Sequence, residues 1–405
     1  MTQQKSQNSV LALVAFIVFL DMAGVGMIVP VLPGLVAELG QTSNEGAAVI
    51  GGTILFVYAL MQFLFSPIIG GLSDRFGRRP VLLVTVAAMG LDYALMAWAP
   101  TLIWLFVGRM ISGVMGATWA ACNSCIADIF PVEERGAKFG LLGGAGAAGF
   151  VAGPALGGLL GEMDLRLPFI AASVIALAGA VIGAFCFPET LPREKRRAFS
   201  LSRANPLGTL LQMAKLPFVI GMLGVLFLLQ LGSQSQLAVW AYFLIEKFNW
   251  SLIQIGLSVA LFGMMLVLAQ GFLTGQLIPR LGERRTALIG LVFGIPSYLL
   301  IAFATSGSWI YAGIVVGALS GVAFPAIQAM MSEQVDENAQ GELQGAVAST
   351  ISLTAIIGPL IMSRLFEHFS DDQGVQFPGA PFILAVALNL LGLGLYLLVT
   401  RKQAN

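Results

Sequence analysis

Apolar runs of about 20 residues recur from one end of this 405-residue chain to the other, separated by short polar turns. An α-helix of that length crosses the ~30 Å hydrocarbon core of a bilayer, and one soluble core could not bury so many such runs. In lipid every backbone N–H and C=O must bond within its own segment, so the runs are read as helices. Only 10% of the residues are charged and 57% are hydrophobic, whereas an ordinary soluble chain carries about 25% charge. Spans are predicted at 10–32, 47–70, 80–98, 101–125, 136–160, 167–188, 217–244, 252–278, 285–304, 308–331, 342–366 and 380–400. Twelve crossings leave both termini on one side. Residues 1–9 are polar, and the first run is long enough to span and ends in Pro30 and Pro33, so no cleavable signal peptide is expected.

The charged residues orient the spans. Of the 21 Lys and Arg, seventeen fall in loops or at span ends of one side, three (Arg166, Lys247 and Arg364) at those of the other, and Arg109 lies deep inside a span. Positive-inside bias places both termini in the cytoplasm, as expected of a bacterial inner-membrane protein. The formal net charge of zero conceals this asymmetry. Residues 189–216 form the one long polar stretch, containing LPREKRR and Pro206. It reads as a cytoplasmic linker between an N-terminal bundle, 1–188, and a C-terminal bundle, 217–405. Its basic run sits where orientation signals belong, so no nucleic-acid partner is expected.

The halves repeat at an offset of 205 residues. Gly70, Leu72, Arg75, Gly77 and Arg79 meet Gly275, Leu277, Arg280, Gly282 and Arg284. The same shift carries Gly153-Pro154 onto Gly358-Pro359 and Gly116 onto Gly321. The expected fold class is therefore an all-α membrane protein of twelve helices in two pseudo-symmetric six-helix bundles. Transporters built from such repeats bind substrate near mid-membrane and rock one half against the other.

The turn GGLSDRFGRRPVLL, 70–83, concentrates charge in a chain that has little. Asp74, Arg75, Gly77, Arg78 and Arg79, grouped with Asp128, are expected to form a latch. Such a turn can hold two helix ends and pair charges with the neighbouring bundle, and must break in the other state. Arginines that only set topology would need neither Asp74 nor the glycines.

Three charges lie inside spans and away from their ends: Asp21, Asp92 and Arg109. Each costs about 2.5–3.5 kcal/mol to insert, so such a residue faces a bundle interior or a watery cavity. A carboxyl taken out of water holds a proton more readily, which a proton carrier requires. Asp21 and Asp92 are the candidates for proton coupling. Arg109 reads equally as a clamp on one of them or as a substrate contact. The fourth span carries a stripe of Arg109, Gly113, Gly116, Ala120 and Asn123. With Asp21, Gln62, Gln230, Gln234, Trp240, Gln270 and Gln328, Arg109 and Asn123 make up the predicted substrate cavity; each glutamine serves equally well to bind two helices together. Gly146, Gly149, Gly153 and Gly157, with Gly158, form a stripe suited to close helix packing, and Pro154 invites a kink.

No catalytic constellation is present. C-N-S-C at 122–125 stands without a second pair, and the chain has one histidine, His368, so structural packing is the expected role and neither metal nor cofactor is called for. A phosphate-binding G-x-x-x-x-G-K-[ST] is absent. Work must come from an ion gradient or from the substrate's own gradient, and an enzyme is not expected. A receptor or scaffold that moves nothing is disfavoured by the repeat, the charged turn and Asp21.

At these residues the chain resembles the major facilitator superfamily. G-x-L-S-D-R-F-G-R-R-P at 70–80 is similar to its signature loop between the second and third helices. Arg109-x3-Gly113-x2-Gly116 resembles its fourth-helix motif, and Gly149-x3-Gly153-Pro154-x2-Gly157-Gly158 the fifth-helix motif of its antiporters. LDMAGVGMIVPVLPGL (20–35), LDYALMAWAP (91–100), GRMISGVMGAT (108–118) and FPAIQAMM (324–331) resemble the tetracycline/proton antiporters within it. The resemblance implies proton-driven export of a small hydrophobic drug through the bilayer by a monomer. The alternative is a uniporter or symporter for a metabolite on the same fold. Those antiporters carry an acidic residue in the ninth helix, and the matching stretch here, 287–300, has none.

Overall fold

The computed structural model describes residues 2–116, 118–196, 213, 215–336, 339–371 and 375–404. Of the expected linker, residues 197–212 and 214 lie outside the described residues, as do the side chains of Lys5, Ala120, Lys195 and Lys402. Among the described residues every regular element is helical. The long elements are α1 (Thr2–Gly40), α2 (Asn44–Phe76), α3 (Arg78–Ala97), α4 (Leu102–Met115), α5 (Thr118–Ile129), α6 (Val132–Gly161) and α7 (Leu167–Cys186). They continue with α8 (Pro217–Phe248), α9 (Leu252–Val267), α10 (Thr274–Ala302), α11 (Gly307–Ala318), α12 (Ala323–Ser332), α13 (Gln340–Ser370) and α14 (Ala380–Ala404). Among the described residues ten helices are long and apolar enough to cross a membrane, and one of these, Leu252–Ala302, is 51 residues long.

Several helices outlast their predicted spans. The apolar run marks only the part in hydrocarbon, whereas the backbone ladder continues into polar sequence wherever nothing stops it. Pro30 and Pro33, expected to end the first span, lie inside α1. A proline frees a carbonyl one turn back, and neighbouring helices can resatisfy it. The expected fourth span is divided instead: α4 stops at Met115 and α5 starts at Thr118.

The repeat is visible in the backbone. Gly77 (φ 109°) and Gly282 (φ 76°) are the glycines with positive φ among the described residues, and they stand 205 apart. Each turns the chain where a side chain would strain it, and Gly282 breaks the 51-residue helical run. The α4–α5 break at Gly116 matches a 3-10 turn at Leu319–Val322, which holds Gly321.

The chain divides into two compact units. The first comprises Met1–Gln41, Val57–Asn205 and Ser251–Ala260; the second comprises Thr42–Phe56, Pro206–Trp250 and Leu261–Asn405. Within the first, α1 packs along α6 through the glycine stripe. A Cβ added at Gly149, Gly153 or Gly157 would strike the carbonyls of Phe19, Ala23 or Met27. Without side chains there the two backbones approach closely, as small-residue stripes allow in lipid. On another face of α6, Gly158 meets Leu252 and Ile253, and Gly256 meets the Pro154 carbonyl. The second unit has its own apolar core, in which Met222, Leu226, Leu291, Ile327, Met331 and Leu343 are buried together.

Candidate functional site

α3 and α4 run side by side in the first unit, and their facing positions carry the intramembrane charges. Asp92 is 1% exposed and Arg109 7%. Arg109 Nη2 donates to Asp92 Oδ2 at 2.8 Å and to Met96 Sδ at 2.9 Å. The Ser112 hydroxyl, one turn beyond Arg109 on α4, donates a short hydrogen bond to the same carboxylate oxygen. The guanidinium lies 5.8 Å from the Tyr58 ring and 5.9 Å from the Tyr93 ring, within cation–π range of both. Gly108 is small for a reason, since a Cβ there would strike Asp92 Oδ1. Two polar atoms of the pair stay unused: Asp92 Oδ1 and Arg109 Nε are buried without a hydrogen-bond partner.

Asp21 stands beside this cluster. The Tyr93 ring edge lies against Gly24, one turn along α1 from Asp21. Asp21 is half-buried and makes no ion pair among the described residues. Arg109 is thus bonded to Asp92 and not to Asp21. One carboxylate is neutralised by a fixed cation and a second is not. Chemically this group can take up a proton, exchange an Arg partner for a proton, or hold a cationic solute.

Gln62 joins the cluster from α2. Its Nε2 donates to the Gly116 carbonyl at 3.0 Å and lies 3.4 Å from the Tyr58 hydroxyl. The Gly116 N–H bonds back to the Gly113 carbonyl in a turn tighter than the α-helix, and Gln62 bonds the Gly116 carbonyl at the end of α4. The polar stripe of the fourth span is therefore interrupted at its centre, with Gly113 packed against the α2 backbone at Tyr58. Asn123 follows on α5, half-buried.

The second unit holds the remaining predicted cavity residues. Gln234 is buried on α8 with its side chain against Gly358, and its Oε1 has no partner. Gln230 lies one turn earlier. Trp240 is buried and meets Phe382 edge to face at 6.0 Å. Gln328 donates to Gln344 at 2.7 Å. Gln270 stands apart, exposed in a π-helical turn, Leu268–Leu273, whose irregular backbone Thr274 stabilises by donating to the Ala269 carbonyl.

In the charged turn Arg78 is the centre. It is 8% exposed and bridges Asp74 on α2 (2.6 Å) and Asp128 on α5 (2.9 Å), with Ser73 Oγ at 3.3 Å. Arg79 donates to the Ala184 carbonyl of α7 at 2.5 Å. Arg75 is exposed and lies over Phe76. Glu189 completes the network: it accepts from the backbone N–H groups of Arg78 (2.9 Å) and Leu191 (3.0 Å). Ser112, Tyr58, Tyr93 and Glu189 were not singled out from sequence. Ser112 had a signal, its i+3 spacing from Arg109. Glu189 had none, since 111 residues separate it from Arg78.

Cys122 and Cys125 are free and buried, and Cys186 is free and exposed. Among the described residues no three His, Cys, Asp or Glu side chains gather as metal ligands.

Comparison with known proteins places this geometry in context. The profile described as Major Facilitator Superfamily matches residues 14–270 and 222–405. The class C tetracycline resistance protein of Escherichia coli is 39% identical over 387 residues, covering 96% of each chain. The class G tetracycline resistance protein of Vibrio anguillarum is 40% identical over 351 residues, covering 87% of this chain and 88% of the relative. A solved bacterial homologue of the human lysosomal transporter Spinster superposes with a TM-score of 0.79 at 17% identity, covering 98% of this chain and 97% of that one.

Proposed function

The chain belongs to the Major Facilitator Superfamily, a family of multi-pass membrane transporters and not of enzymes, and on that premise we propose that it is a proton-coupled antiporter exporting hydrophobic drugs, tetracycline-type compounds first, by alternating access. In this reading twelve helices form two six-helix halves, 1–188 and 217–405, joined by 189–216. Both termini lie in the cytoplasm of a bacterial cell, and the protein works as a monomer in the inner membrane. The turn around Arg78, with Asp74, Arg75, Gly77, Arg79 and Asp128, is the latch of one transport state.

The observation that carries the reading is the buried Asp92–Arg109–Ser112 group with Asp21 one turn of α1 from the Gly24–Tyr93 contact. Two carboxylates and one guanidinium inside the apolar layer are expensive unless they perform work. Asp21, with no cation bound to it, is the proton site we favour. Protonating Asp92 would release Arg109, so exchange of a proton for an ion pair links charge uptake to helix packing between α3 and α4. In the second half no acidic residue lies in mid-span, so proton handling resides in the first. Gln230, Gln234 and Gln328 supply polar contacts for an amphipathic solute, and such uncharged amides discriminate weakly. Without a ninth-helix carboxylate, tetracycline export is weaker or broader in range than in relatives that have one.

Expression in a susceptible host lacking its own pumps tests the reading. Tolerance to tetracycline is expected to rise modestly and to change on Ile295→Asp. Substrate-induced proton release from proteoliposomes is expected to vanish in Asp21→Asn or Asp92→Asn. Retained exchange in both variants overturns the coupling assignment. Tolerance to unrelated drugs but to no tetracycline overturns the substrate.

A further inference from the structure

At the end of the first unit that carries the charged turn, a cavity of about 720 Å³ opens between the end of α2, the start of α3 and the segment that follows α7. Its polar lining is Arg79, Arg193, Arg196 and Glu189, and its apolar lining includes Phe76 and Leu83. Three guanidiniums face one carboxylate, an excess of two positive charges. The carboxylate is already engaged, because Glu189 Oε1 accepts the N–H groups of Arg78 and Leu191 and only Oε2 is left for Arg196, at 3.5 Å. Arg196 Nε is buried without a hydrogen-bond partner. The exposed Arg193 side chain makes no hydrogen bond or ion pair among the described residues. Each guanidinium has five N–H donors, and the donors of Arg79 are used only once, on Ala184.

We propose that this cavity binds the phosphate headgroup of an anionic phospholipid of the surrounding leaflet. Guanidinium forks match phosphate oxygens bidentately, and basic pockets at helix ends hold lipid headgroups. The volume suits a small ligand. A lipid is favoured over a free anion because the cavity is walled by the half-exposed Phe76 and opens beside bare apolar surface. Val84 and Leu91 on α3, and Ile182 and Phe185 on α7, are exposed and offer a bed for an acyl chain. The occupant has a route to the latch. A phosphate that draws Arg196 from Glu189 leaves the carboxylate holding only the backbone at Arg78 and Leu191, and Glu189 is the group packed against the Gly77 turn. The inference rests on the membrane setting of the chain and not on which solute it moves.

Native mass spectrometry of the full chain in neutral detergent tests it, with phosphatidylglycerol, phosphatidylcholine and inorganic phosphate as separate probes. Phosphatidylglycerol is expected to remain bound in preference to phosphatidylcholine. Arg193→Gln/Arg196→Gln is expected to weaken it about 30-fold, equivalent to about 2 kcal/mol for two arginines. If the double variant does not fold, Arg193→Gln alone, a change to an exposed side chain, is expected to weaken it about fivefold. Arg401→Gln, another exposed basic residue, is expected to leave it unchanged. Equal binding of the two lipids, parental binding by the Gln variants, or an equal loss in Arg401→Gln overturns the proposal. Displacement of phosphatidylglycerol by inorganic phosphate at equal concentration overturns the lipid and leaves an anion site.

Discussion

Changing Asp92 to Asn would leave the Arg109 guanidinium buried beside a neutral amide. In the parent protein the two charges meet at 2.8 Å with side chains 0% and 9% exposed, so neither can recover hydration when its partner is lost. Removing one member of such a pair costs about 3–5 kcal/mol. The Ser112 hydroxyl also loses an ionised acceptor, a bond worth about 1.5–3 kcal/mol, which overlaps with the first figure and does not add to it. Even the lower bound exceeds the ~1 kcal/mol typical of a point change. The double variant Asp92→Asn/Arg109→Gln carries no charge and should regain most of the loss, a coupling that a double-mutant cycle isolates. The chain supplies its own reporter: Cys122 and Cys125 are fully buried, so a thiol-reactive fluorophore labels them only on opening once Cys186 is changed to Ser. Labelling is followed against denaturant in detergent. An Asp92→Asn variant within about 1 kcal/mol of the parent, or a double variant no more stable than the single one, refutes the argument that burial makes this pair interdependent.

Asp74→Asn is expected to nearly abolish drug uptake into inverted vesicles while the protein stays folded and inserted, because Arg78 loses one of its two carboxylates; parental uptake would leave the turn a topology role only. Gly153→Ala should cost about 1–3 kcal/mol in the same labelling assay by pushing α6 off the Ala23 carbonyl, whereas Gly143→Ala, which meets nothing within 4 Å, should be neutral or slightly stabilising. Gln62→Leu should destabilise by about 0.5–1.5 kcal/mol by removing the hydrogen bond to the Gly116 carbonyl, and amide exchange at Gly116 should rise.

Run length and loop charge were enough to read a helical membrane protein, because a segment in lipid has no partner for its backbone but itself. The 205-residue offset was legible for the same kind of reason: Gly77 and Gly282 must both turn with positive φ, so the glycine is kept where the backbone demands it. The small-residue stripe on α6 announced close packing, though not that α1 fills one side and the start of α9 the other. Pairing was legible only in part. Asp74 and Arg78 stand in one short charged turn and the latch grouping already included Asp128, but nothing in the sequence pointed to Glu189, which reaches Arg78 from 111 residues away. Asp21 and Asp92 looked alike as lone carboxylates in apolar runs, and only the fold gave Asp92 to Arg109 and Ser112 and left Asp21 without a cation. A local pattern records which face of a helix tolerates lipid; the partner of a buried charge depends on which helices pack together, and that is decided by contacts between segments far apart in the chain.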